Sequence, residues 1–98
     1  MKLGLTEEEY LLLEEVLIEP LKKLGAKVWC FGSRATGKYA KYSDIDLLVE
    51  HPNDISSELS LLEEKISDSN FPYKVDLIIS KNLAQSYLRQ VELQKVRL

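Results

Sequence analysis

Asp44-Ile45-Asp46 places two carboxylates two residues apart in an apolar, β-branched run, DIDLLVE. Along a strand such residues point to the same face, with side chains roughly 6–7 Å apart. Two carboxylates held this way repel each other unless a cation lies between them. An all-oxygen ligand set suits Mg²⁺ or Mn²⁺ rather than zinc. Asp76 stands in a second apolar run, YKVDLII. An acid there needs a partner, a ligand or a place at the rim of a cleft, because burying a bare carboxylate is costly. Three carboxylates from two neighbouring strands can hold two metal ions ~4 Å apart, the arrangement used for in-line displacement at phosphorus. Taken singly, an Asp-x-Asp is also what a strand end running into solvent shows. Asp76 by itself is equally a structural partner for a lysine.

The segment from Gly32 to Ser43 (GSRATGKYAKYS) carries Arg34, Lys38 and Lys41 and no acid, in a chain whose formal net charge is −3. Gly32 and Gly37 let backbone amides come close to a ligand, and Ser33 offers a hydroxyl and an amide at a helix start. That combination suits a polyphosphate, although a solvated basic loop has the same composition. Gly32 to Lys38 also spells G-x-x-x-x-G-K, most of a P-loop. Tyr39 follows where a Ser or Thr hydroxyl would bind magnesium, and only five residues separate Lys38 from Asp44. Neither suits a P-loop and its long helix.

The elements that must position these groups are legible from spacing. Thr6-Glu7-Glu8-Glu9 reads as a capping box that opens a helix. Leu13, Val16, Leu17, Leu21 and Leu24 give that helix an apolar face. Pro20 is expected to kink or divide it, and Gly25 to end it. Lys27–Phe31 reads as a strand that stops at Gly32, and Asp44–Glu50 as a second, followed by the turn His51-Pro52-Asn53-Asp54. Ile55, Leu59, Leu62 and Ile66 repeat at helical spacing to about Ser67, Asn70 to Pro72 break that helix, and Tyr73–Ile79 reads as a third strand. Asn82 is expected to cap a last helix with Ala84, Tyr87, Leu88 and Val91 on one side, and the final residues to form a short edge strand or to fray. The order describes an α/β (α+β) domain over residues 1–98, a small mixed β-sheet with helices packed on one face. Cys30 is expected in the core, Trp29 and Phe31 on the face opposite Val28 and Cys30, Tyr39 and Tyr42 packed in the loop, and His51 exposed without a catalytic part.

Gly32-Ser33, ten residues, Asp44-x-Asp46, and a later apolar strand with Asp76 together resemble the signature of the polymerase-β-type nucleotidyltransferase superfamily. The run VWCFGSRATGKYAKYSDIDLLV is similar to its minimal nucleotidyltransferase (MNT) branch, and FPYKVDLII to the region of the third acid in two-component members, where a separate HEPN-type helical subunit completes the system. The likeness is anchored over residues 28–79. It implies that Gly32 and Ser33 bind the β- and γ-phosphates of ATP or another nucleoside triphosphate, with Arg34 assisting. Asp44 and Asp46 then bind two Mg²⁺ or Mn²⁺ ions, and Asp76 holds the ion that activates an incoming hydroxyl. The hydroxyl attacks the α-phosphorus and pyrophosphate leaves. Some members lack the third acid and are inactive; here Asp76 is present. The ending KVRL is less apolar than the resemblance leads one to expect, which bears on the last strand and not on the site.

The resemblance therefore implies a nucleotidyltransferase, an adenylyltransferase in particular, acting on a HEPN-type partner encoded nearby in an antitoxin role. Two alternatives stay open: a non-catalytic module that neutralises its partner by contact, and transfer to a small molecule with the partner building the acceptor pocket. Thirteen Lys and Arg against sixteen Asp and Glu argue against direct nucleic-acid binding. One cysteine excludes an internal disulfide, and no run approaches the ~20 apolar residues of a membrane span. The expected location is cytoplasmic.

Overall fold

The computed structural model describes residues 2–40 and 42–98. Lys41, counted above among the loop cations, lies outside them. After a 3₁₀ turn (Lys2–Gly4) the chain enters α1 (Glu7–Leu13), a π-helical segment (Glu14–Ile18) and α2 (Glu19–Lys23), which run on as one rod. The expected capping box is formed: the Glu9 amide donates to Thr6 Oγ1 at 3.1 Å, and the Thr6 amide donates to Glu9 Oε1 at 2.9 Å. Pro20 does not break the rod. It lacks an N–H, and its ring crowds the carbonyl of Val16 four residues back; the widened π turn that contains Val16 absorbs both defects. The rod ends in a Schellman cap, with Gly25 at φ +84°, its amide on Lys22 O at 3.0 Å and the Ala26 amide on Leu21 O at 3.0 Å.

Strands β1 (Lys27–Phe31), β2 (Ile45–Glu50), β3 (Val75–Ile79) and β4 (Val96–Arg97) form one sheet in the order β3-β2-β1-β4. β1 pairs antiparallel with β2 and β4, and β2 pairs parallel with β3 through the crossover helix α4 (Ser56–Ser67). The doubt over the last strand is removed. β4 is present, and Leu98 behind it is buried with its amide on Val28 O.

Alternation along the strands divides the sheet into two faces. Val28, Cys30, Ile45, Leu47, Val49 and Val75 face the rod and α4, packing on Leu13, Leu17, Leu21, Leu59, Leu62 and Ile66. The opposite face carries Phe31 and Leu48, with Trp29 and Ile78 beside them. A short helix α3 (Ser33–Thr36) follows β1, and α5 (Gln85–Gln94) precedes β4. The long helices thus lie on one face as expected, while α5 meets the other through Val91. Two local expectations fail here. Asn82 ends a 3₁₀ turn (Ser80–Asn82) and Ala84 is the residue before α5, with no side-chain cap, because Leu83 is extended and separates the two elements. Of the apolar positions on α5, Val91 is buried whereas Tyr87 is 49% exposed.

Candidate active site

The site is assembled by strand register. Phe31, the last residue of β1, pairs with Asp46 on β2, and Asp46 pairs with Asp76 on β3. Residues opposite one another in a ladder share a face, so the two aspartates stand side by side on the face away from the rod. Asp44 lies on the approach to β2, two residues before Asp46, and is exposed.

Gly32 leaves β1 at φ +76°, ψ −158°, a conformation open essentially to glycine alone. The reason is Asp46: a Cβ on Gly32 would stand 2.7 Å from Asp46 Oδ2. The backbone of the glycine–serine turn is therefore pressed directly against the central carboxylate. Ser33 opens α3, so its own amide has no partner within the helix, whereas the Ala35 and Thr36 amides turn back to Gly32 O. Gly37 closes α3 at φ +78°, and the Lys38 amide returns to Ser33 O at 3.0 Å. Lys38 itself is exposed.

The electrostatics of the row are those of crowded acids. Partial burial pushes the Asp46 carboxyl above its usual range, and the negative charges of Asp76 and then Asp44 push it further; Lys74 opposes them. Lys74 Nζ stands 3.7 Å from Asp76 Oδ1, with side-chain exposures of 70% and 38%. This is the lysine partner that Asp76 alone would suggest. A pair so open to solvent contributes little, and it does not commit Asp76 to a structural role. Carboxylates that repel stand apart. Among the described residues no three acidic, histidine or cysteine side chains close into an ion cage as they stand. The donor chemistry nonetheless suits a hard divalent cation: three carboxylates lie at one end of the sheet, with Lys74 as a loosely held counter-charge.

Arg34 turns inward from α3. Only 3% exposed, it donates from Nε to Ser43 O at 3.0 Å and from Nη1 to Leu3 O at 3.0 Å. Its guanidinium lies over the rings of Tyr73 (4.3 Å to the centroid) and Tyr39 (5.0 Å). The guanidinium is thus enclosed by protein on Nε, Nη1 and its faces. The loop looks cationic in sequence, but Arg34 is consumed by contacts from the N-terminus and from the approach to β3.

Lys74 and Tyr73 are site residues that the pattern reading passed over. For Lys74 the signal was present, since it precedes Asp76 by two residues and so shares its side of the strand. Tyr73 acts through a long-range contact that no spacing reveals. Beside Asp76, a cavity of about 320 Å³ is lined by Glu63, Ile66, Phe71, Tyr73 and Lys74, and Glu63 Oε1 accepts the outward Leu77 amide of β3 at 3.4 Å.

Other residues have structural duties. Cys30 is fully buried as expected, and desolvation foremost pushes its thiol up to about 12. Trp29 carries Lys95 Nζ at 4.2 Å and the Arg97 guanidinium at 5.0 Å from its ring centroid, which ties β4 to β1. His51 is only partly exposed, with Nε2 donating to Leu24 O at 2.7 Å and Nδ1 accepting from the Asn53 amide at 3.0 Å. It clasps the end of β2 to the end of the rod. No helix among the described residues is long and apolar enough to cross a membrane.

Comparison with known proteins gives three findings. Residues 12–98 match the family described as "Nucleotidyltransferase domain". A Haemophilus influenzae protein named "Probable protein adenylyltransferase MntA" is 47% identical over 53 residues, 52% of this chain and 46% of that protein, so the match spans about half the length of the curated relative. Among solved structures, a toxin–antitoxin with AMP-PNP superimposes with a TM-score of 0.65 at 23% identity, over 95% of this chain and 72% of that one. A tri-AMPylated Shewanella oneidensis HEPN toxin in complex with MNT antitoxin gives 0.59 at 21% identity, over 91% and 70%. At these identities the two structures establish the fold.

Proposed function

The chain belongs to the nucleotidyltransferase domain family, and on that footing we propose that it transfers adenylate from ATP to a hydroxyl of a HEPN-type protein partner, in an antitoxin role. The observation that carries this reading is the row formed by Gly32, Asp46 and Asp76, in which the glycine backbone abuts the central acid of two in register. The relative named as a protein adenylyltransferase and the fold shared with toxin–antitoxin complexes support the direction and the acceptor.

In this reading Asp44, Asp46 and Asp76 hold two divalent cations, Mg²⁺ or Mn²⁺, which when bound supply the charge that stabilises the attacking and leaving oxygens at phosphorus. The Ser33 amide and hydroxyl and the backbone at Gly32 orient the triphosphate, and the close approach that Gly32 permits keeps its tail beside Asp46. Asp76, at the outer strand and beside the open cavity, accepts the proton of the acceptor hydroxyl. The α-phosphorus–oxygen bond to the acceptor forms as the bond to pyrophosphate breaks.

The test is incubation of the protein with labelled ATP, Mg²⁺ and the HEPN-type protein encoded beside it. Label appears on the partner with the parent chain and is lost with Asp44→Asn. No label, or equal labelling by the variant, refutes the reading.

One observation favours a second reading, neutralisation of the partner by contact alone: Lys74 gives Asp76 an ion-pair partner without any metal. That reading requires tight complex formation unaltered by Asp46→Ala and Asp76→Ala, and protection of the cell by those variants.

A further inference from the structure

Arg34 joins three other stretches of chain: the N-terminal turn, the loop leading to β2 and the approach to β3. From α3, one residue past Ser33, its Nε reaches the carbonyl of Ser43, the residue immediately before Asp44. Its Nη1 reaches Leu3 O in the N-terminal 3₁₀ turn. The guanidinium meets Tyr73, whose ring is itself fixed edge-on against buried Phe71 at 5.7 Å, and Tyr73 adjoins Lys74, the ion-pair partner of Asp76. The other contact is Tyr39, whose ring packs so tightly on Gly4 that no side chain fits there. Leu3 holds φ +57°, an uncommon conformation for a branched apolar residue, while buried to 7% exposure. Such strain persists where the surroundings over-determine it. Nε, Nη1 and the guanidinium face are all engaged by protein, while Nη2 is buried with no hydrogen-bond partner among the described residues.

We infer that Arg34 is a positioning residue: it fixes the glycine–serine turn, the approach carrying Asp44 and the strand carrying Asp76 in one frame without touching the nucleotide. This rests on the transfer activity proposed above but addresses a different residue and is separable from it. A lysine cannot replace the planar fork or its stacking on aromatic rings, so Arg34→Lys keeps the charge and removes the frame. Groups that orient site ligands from behind are worth about 10- to 100-fold in metal affinity or activity.

The experiment uses the full chain with its partner, comparing parent, Arg34→Lys and Tyr73→Leu, with far-UV circular dichroism to establish folding. For Arg34→Lys the expected result is a fall in kcat of about tenfold or more, KM for ATP within about threefold, and Mn²⁺ affinity, read by electron paramagnetic resonance, weakened about fivefold or more. Tyr73→Leu moves the same quantities in the same direction by less, and carries the comparison if Arg34→Lys does not fold. A tenfold rise in KM with kcat and Mn²⁺ affinity at parent values would make Arg34 a direct phosphate ligand and overturn the inference. So would three unchanged quantities. A parent that binds Mn²⁺ but transfers nothing refutes the proposed activity alone, and the Mn²⁺ comparison then decides the inference by itself. A parent that binds no Mn²⁺ overturns both.

Discussion

Asp46 Oδ2 lies so near the Gly32 backbone that a methyl group on the glycine would stand 2.7 Å from it. The contact explains why the glycine–serine turn and the acidic strand must be read as one unit. It also makes the first prediction. Gly32→Ala adds both the clash and a backbone penalty of about 1–3 kcal/mol at φ +76°. The expected outcome is a lower denaturation midpoint and a loss of adenylate transfer of about 100-fold, since a displacement near 1 Å at a reacting site costs that much. Chemical denaturation and initial-rate measurements check the two parts.

A second prediction concerns pH. Burial, Asp76 and Asp44 raise the Asp46 carboxyl above the ordinary 3.8, so the folded chain holds this proton more tightly than the unfolded chain does. The stability that Asp46 contributes is therefore full below that value and is lost as pH rises through the raised one. Asp46→Asn, which removes the charge and keeps the shape, is expected to raise Tm at pH 7 in EDTA while abolishing transfer. At acidic pH, where Asp46 is protonated, the gain in Tm disappears. Thermal melts across pH 3–8 test both statements.

Much of this architecture was legible because burial and periodicity agree in it. Val28 and Cys30 face the long helices while Trp29 and Phe31 face away, as alternation requires, and β1 ends where its apolar run does, at Phe31. The acid row was legible because strands have period two and both acids sit in apolar runs. Other features follow from contacts that no local pattern contains. β3 begins at Val75 rather than Tyr73 because its partner strand begins at Ile45, which pairs with Val75. The enclosure of Arg34 was not legible, because Leu3, which accepts from its Nη1, lies 31 residues earlier. Pro20 read as a kink or a division because a π turn that relieves a proline has no signature in apolar spacing.

A third prediction follows from Cys30. With no exposed surface and a thiol pushed up to about 12, it is expected to resist iodoacetamide in the folded chain at pH 8 and to react promptly in denaturant. Because its folded value exceeds the ordinary 9.0, stability from this group is lost as pH climbs from 9 toward 12. Mass spectrometry of alkylated protein, with and without guanidinium, reads the contrast.

A fourth prediction separates fold from chemistry. Thr6→Ala removes one arm of the capping box at the start of α1. It is expected to cost about 1 kcal/mol, a fall in Tm of roughly 4–8 °C for a chain of this size. Transfer at 25 °C should stay within about twofold of the parent, because the cap contacts no member of the acid row. Differential scanning calorimetry paired with the transfer assay is the check.

The most direct measurement is adenylate transfer to the HEPN-type partner by the parent chain and by Asp76→Asn at equal occupancy of the complex. If Asp76 joins Asp44 and Asp46 in holding the catalytic ions, the variant still binds the partner but transfers label at least about 100-fold more slowly. Transfer by the variant at the parent rate would contradict the account.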